Sequence, residues 1–175
     1  MAYTGSCLCG GLRFQIEGEL EPIQLCHCQQ CRKAQGGPFA AVIPVATSAF
    51  RFVAGEHLLR SYESSPGKLR CFCGNCGSPV YSRRRSLPGI VRVRAGLINE
   101  PLKVKPVWHA YTGSKCNWWP IEDGLAQYEK AHVHRGDATG KPGAAAASSI
   151  LPSPGLAPAS VPPQPERRSP RRHHR

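Results

Sequence analysis

Cysteine spacing is the feature that most restricts how this chain can fold. Nine cysteines stand at positions 7, 9, 26, 28, 31, 71, 73, 76 and 116, and all but the last fall in three short clusters. The clusters read CLC, CHCQQC and CFCGNC. In a reducing compartment, clustered thiols are typical of metal sites rather than of disulfides. The sequence therefore predicts a small fold held together by metal-bound thiolates.

The first residues, MAYTGSCLCGG, lack the basic region and apolar core of a signal peptide. No run of apolar residues approaches the roughly 20 that are needed to cross a bilayer. We therefore expect a cytoplasmic protein with no membrane partner, in which the thiols stay reduced. Nothing in the sequence indicates an oligomeric state.

Composition changes at residue 135. The segment 135–175 holds 8 of the 17 prolines and has no aromatic residue and no cysteine. Such a segment buries too little apolar surface to offset the entropy of ordering it. The sequence predicts one folded domain over residues 1–134, followed by a disordered tail over 135–175 that is rich in Pro, Ala and Arg.

Positive charge is the second global feature. Lys and Arg number 23 against 11 Asp and Glu, a formal balance of +12. This excess, with SRRRS at 82–86 and RRSPRRHHR at the end of the chain, is compatible with nucleic acid as a partner. The domain lacks the interleaved aromatic and basic residues of single-strand binders, so nucleic acid is not the favoured partner.

The hydrophobic pattern of residues 1–134 is mostly that of strands. GLRFQIEG, AFRFVAG, LRSYES and GIVRVRAGLI alternate or are rich in strand formers, and FAAVIPV is a short apolar run. Gly and Pro separate these stretches. We expect a mainly β fold with one or two short helices, at roughly 29–35 and 121–130.

The thiol clusters suggest two kinds of metal site. In a Cys-x-Cys pair on an extended strand, both side chains point to the same side. In CGNCG at 73–77, the glycines permit a tight turn that brings two sulfurs to one ion. Two pairs can form a closed four-thiol site, which leaves a three-thiol site with an open position, made of Cys26, Cys28 and Cys31.

Spacing alone leaves alternatives open. It does not say which pairs combine, and the three-thiol set could be a second closed site with an unseen fourth ligand. Cys71 is one candidate for that ligand, but a small buried or half-buried thiol is the favoured interpretation. His27 lies between two cysteines, and on an extended chain it faces away from them, so we do not expect it to bind the metal.

Four segments resemble, in order and spacing, the glutathione-dependent formaldehyde-activating enzyme family, which is shared with centromere protein V. They are GSCLCGGLRFQIEG, CHCQQCRKAQGGPFAAVIPV, RCFCGNCGSPVY and KPVWHAYTGSKCNWWPIEDGLAQYEK, and they span about residues 3–130. The resemblance implies a zinc-pinned, mostly antiparallel, β-tent-like fold. It implies two zinc ions, one structural and one catalytic. The structural ligands would be Cys7, Cys9, Cys73 and Cys76, and the catalytic ligands Cys26, Cys28 and Cys31.

The same resemblance implies a carbon–sulfur lyase that joins glutathione to formaldehyde as S-hydroxymethylglutathione. The alternative is a non-catalytic zinc module that binds nucleic acid or chromatin. Candidates to receive the carboxylates of glutathione are Arg32, Lys33 and the backbone amides near Gly36 and Gly37.

Two further expectations concern the aromatic block near the end of the domain. His109 is a candidate general acid or base. Of the three tryptophans, Trp108, Trp118 and Trp119, at least two are expected to pack in the core or in a lid.

Overall fold

A three-stranded antiparallel sheet begins the fold of this chain. The computed structural model of the protein describes residues 1–131. The small sheet has the strand order β1-β2-β5, with bounds Ala2–Ser6, Arg13–Glu17 and Phe50–Ala54. In β2, Phe14 and Ile16 are buried while their neighbours reach the surface, as the alternating pattern predicts.

An eight-stranded sheet carries the rest of the fold, in the order β11-β10-β3-β4-β9-β8-β7-β6. The bounds of its strands are β3 Ile23–Cys26, β4 Ala40–Ala46, β6 Leu59–Ser65, β7 Lys68–Cys73, β8 Pro79–Arg84, β9 Leu87–Arg94, β10 Pro106–Ala110 and β11 Ala126–Tyr128. The mainly β fold class is thereby confirmed. Most pairings are antiparallel, but β10 pairs in parallel with both β3 and β11. The expectation of mostly antiparallel pairing is confirmed, and the two parallel pairings of β10 make the large sheet mixed.

One α-helix is present among residues 1–131, and it is the first of the two that the sequence predicted. Helix α1 covers Gln29–Gln35 and ends at Gly36, which takes a left-handed conformation. The second predicted helix, at 121–130, is wrong, because that stretch contains β11 instead. Short 3-10 turns lie at Thr47–Ala49, Glu56–Leu58, Ala95–Leu97 and Thr112–Ser114. No helix in the described part is long and apolar enough to span a bilayer.

The core lies between the sheets and is built from alternate residues of several strands. Its fully buried apolar members include Leu12, Phe14, Ile16, Ile43, Val80 and Val93. Gly5 allows the Phe14 ring to pack against β1, because a Cβ at that position would overlap the ring. The predicted tail, 135–175, lies outside the described residues.

Helix α1 connects two distant strands of the large sheet. It follows β3, and its Gln30 side chain donates a hydrogen bond to the Ser64 carbonyl of β6, at 3.1 Å. Arg70 of β7 also contacts Cys31 of α1. In the sheet, β4, β9 and β8 separate β3 from β7. The sheet must therefore curl, so that residues from β3, β7 and β9 meet near α1.

Candidate metal and active site

Four cysteines from two turns form the first thiol cluster. They are Cys7, Cys9, Cys73 and Cys76, and their sulfurs all lie within 4.8 Å of one another. Cys7 and Cys9 follow β1. Their spacing was interpreted as that of a pair on an extended strand, but neither residue lies on a strand. They lie in a turn that the Gly10 amide closes by donating to the Cys7 carbonyl at 2.9 Å. A turn therefore points both thiols to the same side.

The second pair sits on a turn that glycine makes possible. Gly77 has φ 77°, and its amide donates to the Cys73 carbonyl at 2.8 Å. A Cβ on Gly74 would lie 2.8 Å from the Arg60 side chain. The turn therefore places Cys73 and Cys76 at the end of β7, and the absence of a side chain at Gly74 leaves space for Arg60 beside it.

Hydrogen bonds to sulfur favour thiolates at Cys9 and Cys76, whereas burial raises the pKa of Cys7 to about 11. The Leu12 amide donates to the sulfur of Cys7 at 3.3 Å, and the Asn75 side-chain amide donates to Cys9 at 3.3 Å. The bond from Asn75 is the main cause that lowers the pKa of Cys9. A hydrogen bond with Ser78 lowers the pKa of Cys76 to about 5. Thiolates are the metal-binding form of cysteine.

Three cysteines around the start of α1 form the second cluster. Cys26 ends β3, Cys28 is the N-cap of α1, and Cys31 lies in its first turn. Their sulfurs are within 4.8 Å of one another. The amide of Cys31 donates to the sulfur of Cys28 at 3.3 Å, so the thiol caps the helix as a Ser or Asp oxygen would.

No other His, Cys, Asp or Glu of residues 1–131 joins this three-thiol cluster. Cys71 lies outside it, is buried, and is hydrogen-bonded to Tyr81. The possibility that Cys71 completes the site is therefore wrong, and the buried-thiol interpretation holds. Cys116 is also buried and belongs to neither cluster.

The donor sets of both clusters suit a thiophilic metal ion. Zinc binds thiolates at about 2.3 Å in tetrahedral geometry, which separates the sulfurs by about 3.8 Å. In the first cluster, the Cys7 and Cys9 sulfurs are 3.4 Å apart and those of Cys9 and Cys73 are 4.0 Å apart. Each cluster could hold one metal ion, the first with four thiol ligands and the second with three.

Cationic side chains surround the three-thiol cluster. Both terminal nitrogens of Arg70 lie 3.8 Å from the sulfur of Cys31. Hydrogen bonds from the two neighbouring thiols, and then the charge of Arg70, lower the pKa of Cys31 to about 2. The charge of buried Arg94 also interacts with all three thiols. These arginines were not among the predicted site residues, because charged residues in strands are usually assigned to the solvent side.

Tyr111 is a further residue that the sequence did not reveal. It is the one non-glycine residue among 1–131 with a positive φ, at 60°. A backbone in this region is uncommon for a bulky residue and often marks a functional position. Burial raises the pKa of its phenol, and the three thiols of the second cluster act in the same direction.

A chain of hydrogen bonds runs beside the same cluster. The ring nitrogens His27 Nε2 and His109 Nδ1 are 2.7 Å apart, and His109 Nε2 lies 2.9 Å from the Asp123 carboxylate. Both rings are buried, whereas Asp123 is partly exposed. His27 is outside the three-thiol group, as predicted. Burial, followed by the charge of His109, lowers the pKa of His27 to about 4, so its ring is neutral at pH 7.

The partners fix one proton position in this chain. A carboxylate only accepts, so His109 Nε2 carries the proton that it donates to Asp123. One proton is shared along the 2.7 Å contact between His109 Nδ1 and His27 Nε2. Because His27 stands between Cys26 and Cys28, this chain orients the backbone that presents both thiols.

The structure does not support the predicted carboxylate receptors near α1. Arg32 donates to the carbonyls of His27 and Ser114, at 3.3 and 3.1 Å. The amides of Gly36 and Gly37 both donate to the Arg32 carbonyl, at 2.8 and 3.4 Å. These amides terminate the helix and are not available to a ligand. Lys33 is exposed on α1.

The tryptophans also differ from expectation. Trp108 is buried on β10, but Trp118 and Trp119 are 62% and 46% exposed. Trp119 makes an edge contact with Phe39, at 6.5 Å between ring centroids. At least two tryptophans were expected to pack in the core or in a lid. Only Trp108 of the three is buried.

Comparisons with known proteins agree with this geometry. A sequence model of the family described as glutathione-dependent formaldehyde-activating enzyme matches residues 2–114. A protein of Halomonas elongata named "Putative glutathione-dependent formaldehyde-activating enzyme" is 30% identical over 130 residues, which cover 70% of this chain and 82% of that protein. An uncharacterized lyase of Schizosaccharomyces pombe is 32% identical over 79 residues, 45% of this chain and 56% of the relative.

A crystal structure of a Rhodobacter sphaeroides protein shares the fold. Its TM-score is 0.50 at 23% identity, and the match covers 59% of this chain and 99% of that one. The family match includes all seven cysteines of the two clusters. Together with the relative from Schizosaccharomyces pombe that is named a lyase, it supports an enzyme of lyase type. This chain belongs to the glutathione-dependent formaldehyde-activating enzyme family.

Proposed function

We propose that this protein is a zinc-dependent carbon–sulfur lyase that forms S-hydroxymethylglutathione from glutathione and formaldehyde. A structural zinc would be bound by Cys7, Cys9, Cys73 and Cys76, and a catalytic zinc by Cys26, Cys28 and Cys31. The observation that carries the proposal is the three-thiol cluster with no fourth His, Cys, Asp or Glu from residues 1–131, in a chain of this family. A structural site is usually closed by four ligands, whereas a catalytic site keeps one position open.

In this reaction the sulfur of glutathione forms a bond to the carbonyl carbon, and the carbonyl oxygen gains a proton. A zinc ion at the three-thiol cluster would supply the positive charge that keeps an incoming thiol deprotonated at neutral pH. Arg70 stabilises the negative charge on Cys31 through its two N–H groups. Tyr111 stays protonated at neutral pH, because its pKa is raised, and its hydroxyl is the candidate donor to the carbonyl oxygen.

The test is magnetisation-exchange NMR on glutathione, formaldehyde and the zinc-loaded full-length chain. We expect faster exchange between free and glutathione-bound formaldehyde with the unaltered protein, and no acceleration with Cys31→Ser. Cys116→Ser is the matched control, since Cys116 is buried like a core residue but lies in neither cluster.

Zinc content, measured by native mass spectrometry, completes the design. We expect two ions in the unaltered protein and in Cys116→Ser, and one ion in Cys31→Ser. If the folded protein with two ions does not accelerate the exchange, the formaldehyde assignment is wrong. If Cys31→Ser retains full activity, the active site is not the three-thiol cluster.

The alternative function, a zinc module that binds nucleic acid, stays a prediction, as does the cytoplasmic location. The support for nucleic-acid binding among the described residues is the exposed run Arg83, Arg84 and Arg85. Arg85 is paired with Glu63 at 3.2 Å. Nucleic-acid binding would fall steeply as salt is raised, because binding releases counterions. A DNA titration at two salt concentrations distinguishes this function from catalysis.

A further inference from the structure

Three cations are buried next to the three-thiol cluster. Lys68 and Arg70 lie two residues apart on β7 and so share one face of it, and Arg94 ends β9. Their exposed fractions are only 7%, 9% and 3%. Lysine and arginine are rarely buried to this degree unless an opposite charge accompanies them.

The described residues supply these cations with few partners. Arg70 donates to Ser64 Oγ at 2.9 Å and contacts the sulfur of Cys31. The Nε of Arg94 is buried and has no hydrogen-bond partner in residues 1–131. For the ammonium group of Lys68, the same part of the chain shows neither a hydrogen bond nor an ion pair.

The charges around Lys68 do not balance. Burial lowers its pKa to about 8, and the nearby charges with the largest effects are those of Arg84, Arg92, Cys31 and Arg70. Only the thiol among these is an anion. Three thiolates with one divalent metal would carry a single net negative charge, against the three positive charges of Lys68, Arg70 and Arg94. One further negative charge beside these cations would therefore still leave the group without a net negative charge.

We propose that Lys68, Arg70 and Arg94 form a carboxylate-binding subsite beside the three-thiol cluster. The subsite rests on the proposed function, since it would hold a carboxylate of the substrate close to the reacting sulfur. A guanidinium and an ammonium group suit a carboxylate, which accepts several charge-assisted hydrogen bonds. The carboxylate can belong to the thiol, as in glutathione, or to an aldehyde acid such as glyoxylate.

The first arm of the experiment tests the thiol as the source. S-methylglutathione keeps both carboxylates but cannot become a thiolate, so its binding reports the subsite separately from the metal. Isothermal titration of the zinc-loaded full-length chain compares it with its diethyl ester. We expect the ester to bind at least about tenfold more weakly, as the loss of a charged hydrogen bond predicts.

Two variants assign that difference to the cations. We expect Lys68→Met and Arg94→Gln to weaken S-methylglutathione binding about tenfold and to leave the ester unchanged. Lys103→Met is the matched control, because Lys103 is exposed on a loop. Lys68 has no hydrogen-bonded anion among residues 1–131, so Lys68→Met should leave the melting temperature unchanged or raise it. A purely structural role would instead lower the melting temperature and leave the ligand preference intact.

The second arm tests the aldehyde as the source. The chain is given the neutral thiol 2-mercaptoethanol with either glyoxylate or formaldehyde, and adduct formation is followed by NMR. Acceleration that is specific to glyoxylate and is lost in Lys68→Met would place the carboxylate on the aldehyde.

Either positive arm supports the subsite and names its source. If the unaltered protein with two zinc ions prefers the carboxylate ligand in neither arm, the subsite does not exist, whatever the variants do. The proposed function can fail separately. Carboxylate-dependent binding without formaldehyde chemistry would refute the proposed function and support the subsite. Formaldehyde chemistry without carboxylate dependence would support the proposed function and refute the subsite.

Discussion

The buried pair of His27 and His109 allows a quantitative test of how the site is held in place. Replacing His109 by Phe keeps an aromatic ring in the space but removes both hydrogen bonds of the imidazole. His27 Nε2 would then be a buried polar atom without its partner, which costs about 1–3 kcal/mol. The lost bond to partly exposed Asp123 adds about 0.5–1 kcal/mol, the value of a solvent-screened contact. We expect a total loss of about 1.5–4 kcal/mol in the free energy of unfolding.

A double-mutant cycle separates the hydrogen bond from packing. The single variants His27→Phe and His109→Phe each leave one buried ring nitrogen unsatisfied, whereas the double variant leaves none. The double variant should therefore lose about 1–3 kcal/mol less than the sum of the two single losses. Urea unfolding at a buffered free zinc concentration, followed by tryptophan fluorescence, measures all four proteins. His57→Phe, at an exposed histidine, is the control and should change stability by less than about 0.5 kcal/mol.

The same variants test the link from the histidines to the metal site. His27 lies between Cys26 and Cys28, so His109→Phe should weaken metal binding at the three-thiol cluster and not at the four-thiol cluster. Competition with a chelator resolves the two affinities. Losses that add within about 0.5 kcal/mol, with unchanged metal affinity, would refute the coupling argued from the 2.7 Å contact.

Three further predictions concern separate parts of the molecule. Gly5→Ala should cost about 1–3 kcal/mol in urea unfolding, because the new methyl overlaps the Phe14 ring, and an unchanged midpoint would mean that the ring moves aside freely. Binding of S-methylglutathione should weaken as the pH rises through about 8, because Lys68 loses its proton around its lowered pKa, so equal affinities at pH 7 and 9.5 would exclude Lys68 from the subsite. Cys9→Ser should abolish the cooperative unfolding that circular dichroism records, whereas Cys31→Ser should preserve it. The opposite result would exchange the structural and catalytic roles proposed for the two clusters.

Strands with strict alternation were predictable because burial decides their pattern. Phe14 and Ile16 of β2 point into the core and their neighbours do not. The short strand β11 was predicted as a helix, since AQYEK is rich in helix formers. Its pairing with β10 overrides that local preference. A three-residue strand at a sheet edge has no periodicity from which the sequence could reveal it.

The surroundings of the thiols were less predictable than the thiols themselves. The short spacing of Cys26, Cys28 and Cys31 is visible along the chain, whereas Arg70 reaches Cys31 across 39 residues and His109 reaches His27 across 82. A charged residue in a strand is ordinarily assigned to solvent. Here the curl of the large sheet turns Lys68 and Arg70 inward, toward thiols that can carry negative charge.

The two clusters also differ in how much chain each must bring together. Cys26 and Cys31 are five positions apart, whereas Cys9 must meet Cys73, 64 positions away. The entropy of closing the longer loop is greater by about 2 kcal/mol, since it grows with the logarithm of loop length. In a chain emerging from the ribosome, the three-thiol set is complete long before the four-thiol set can form. A metal ion captured early in synthesis would therefore meet the three-thiol cluster first, and an ion at the four-thiol cluster could bind only later.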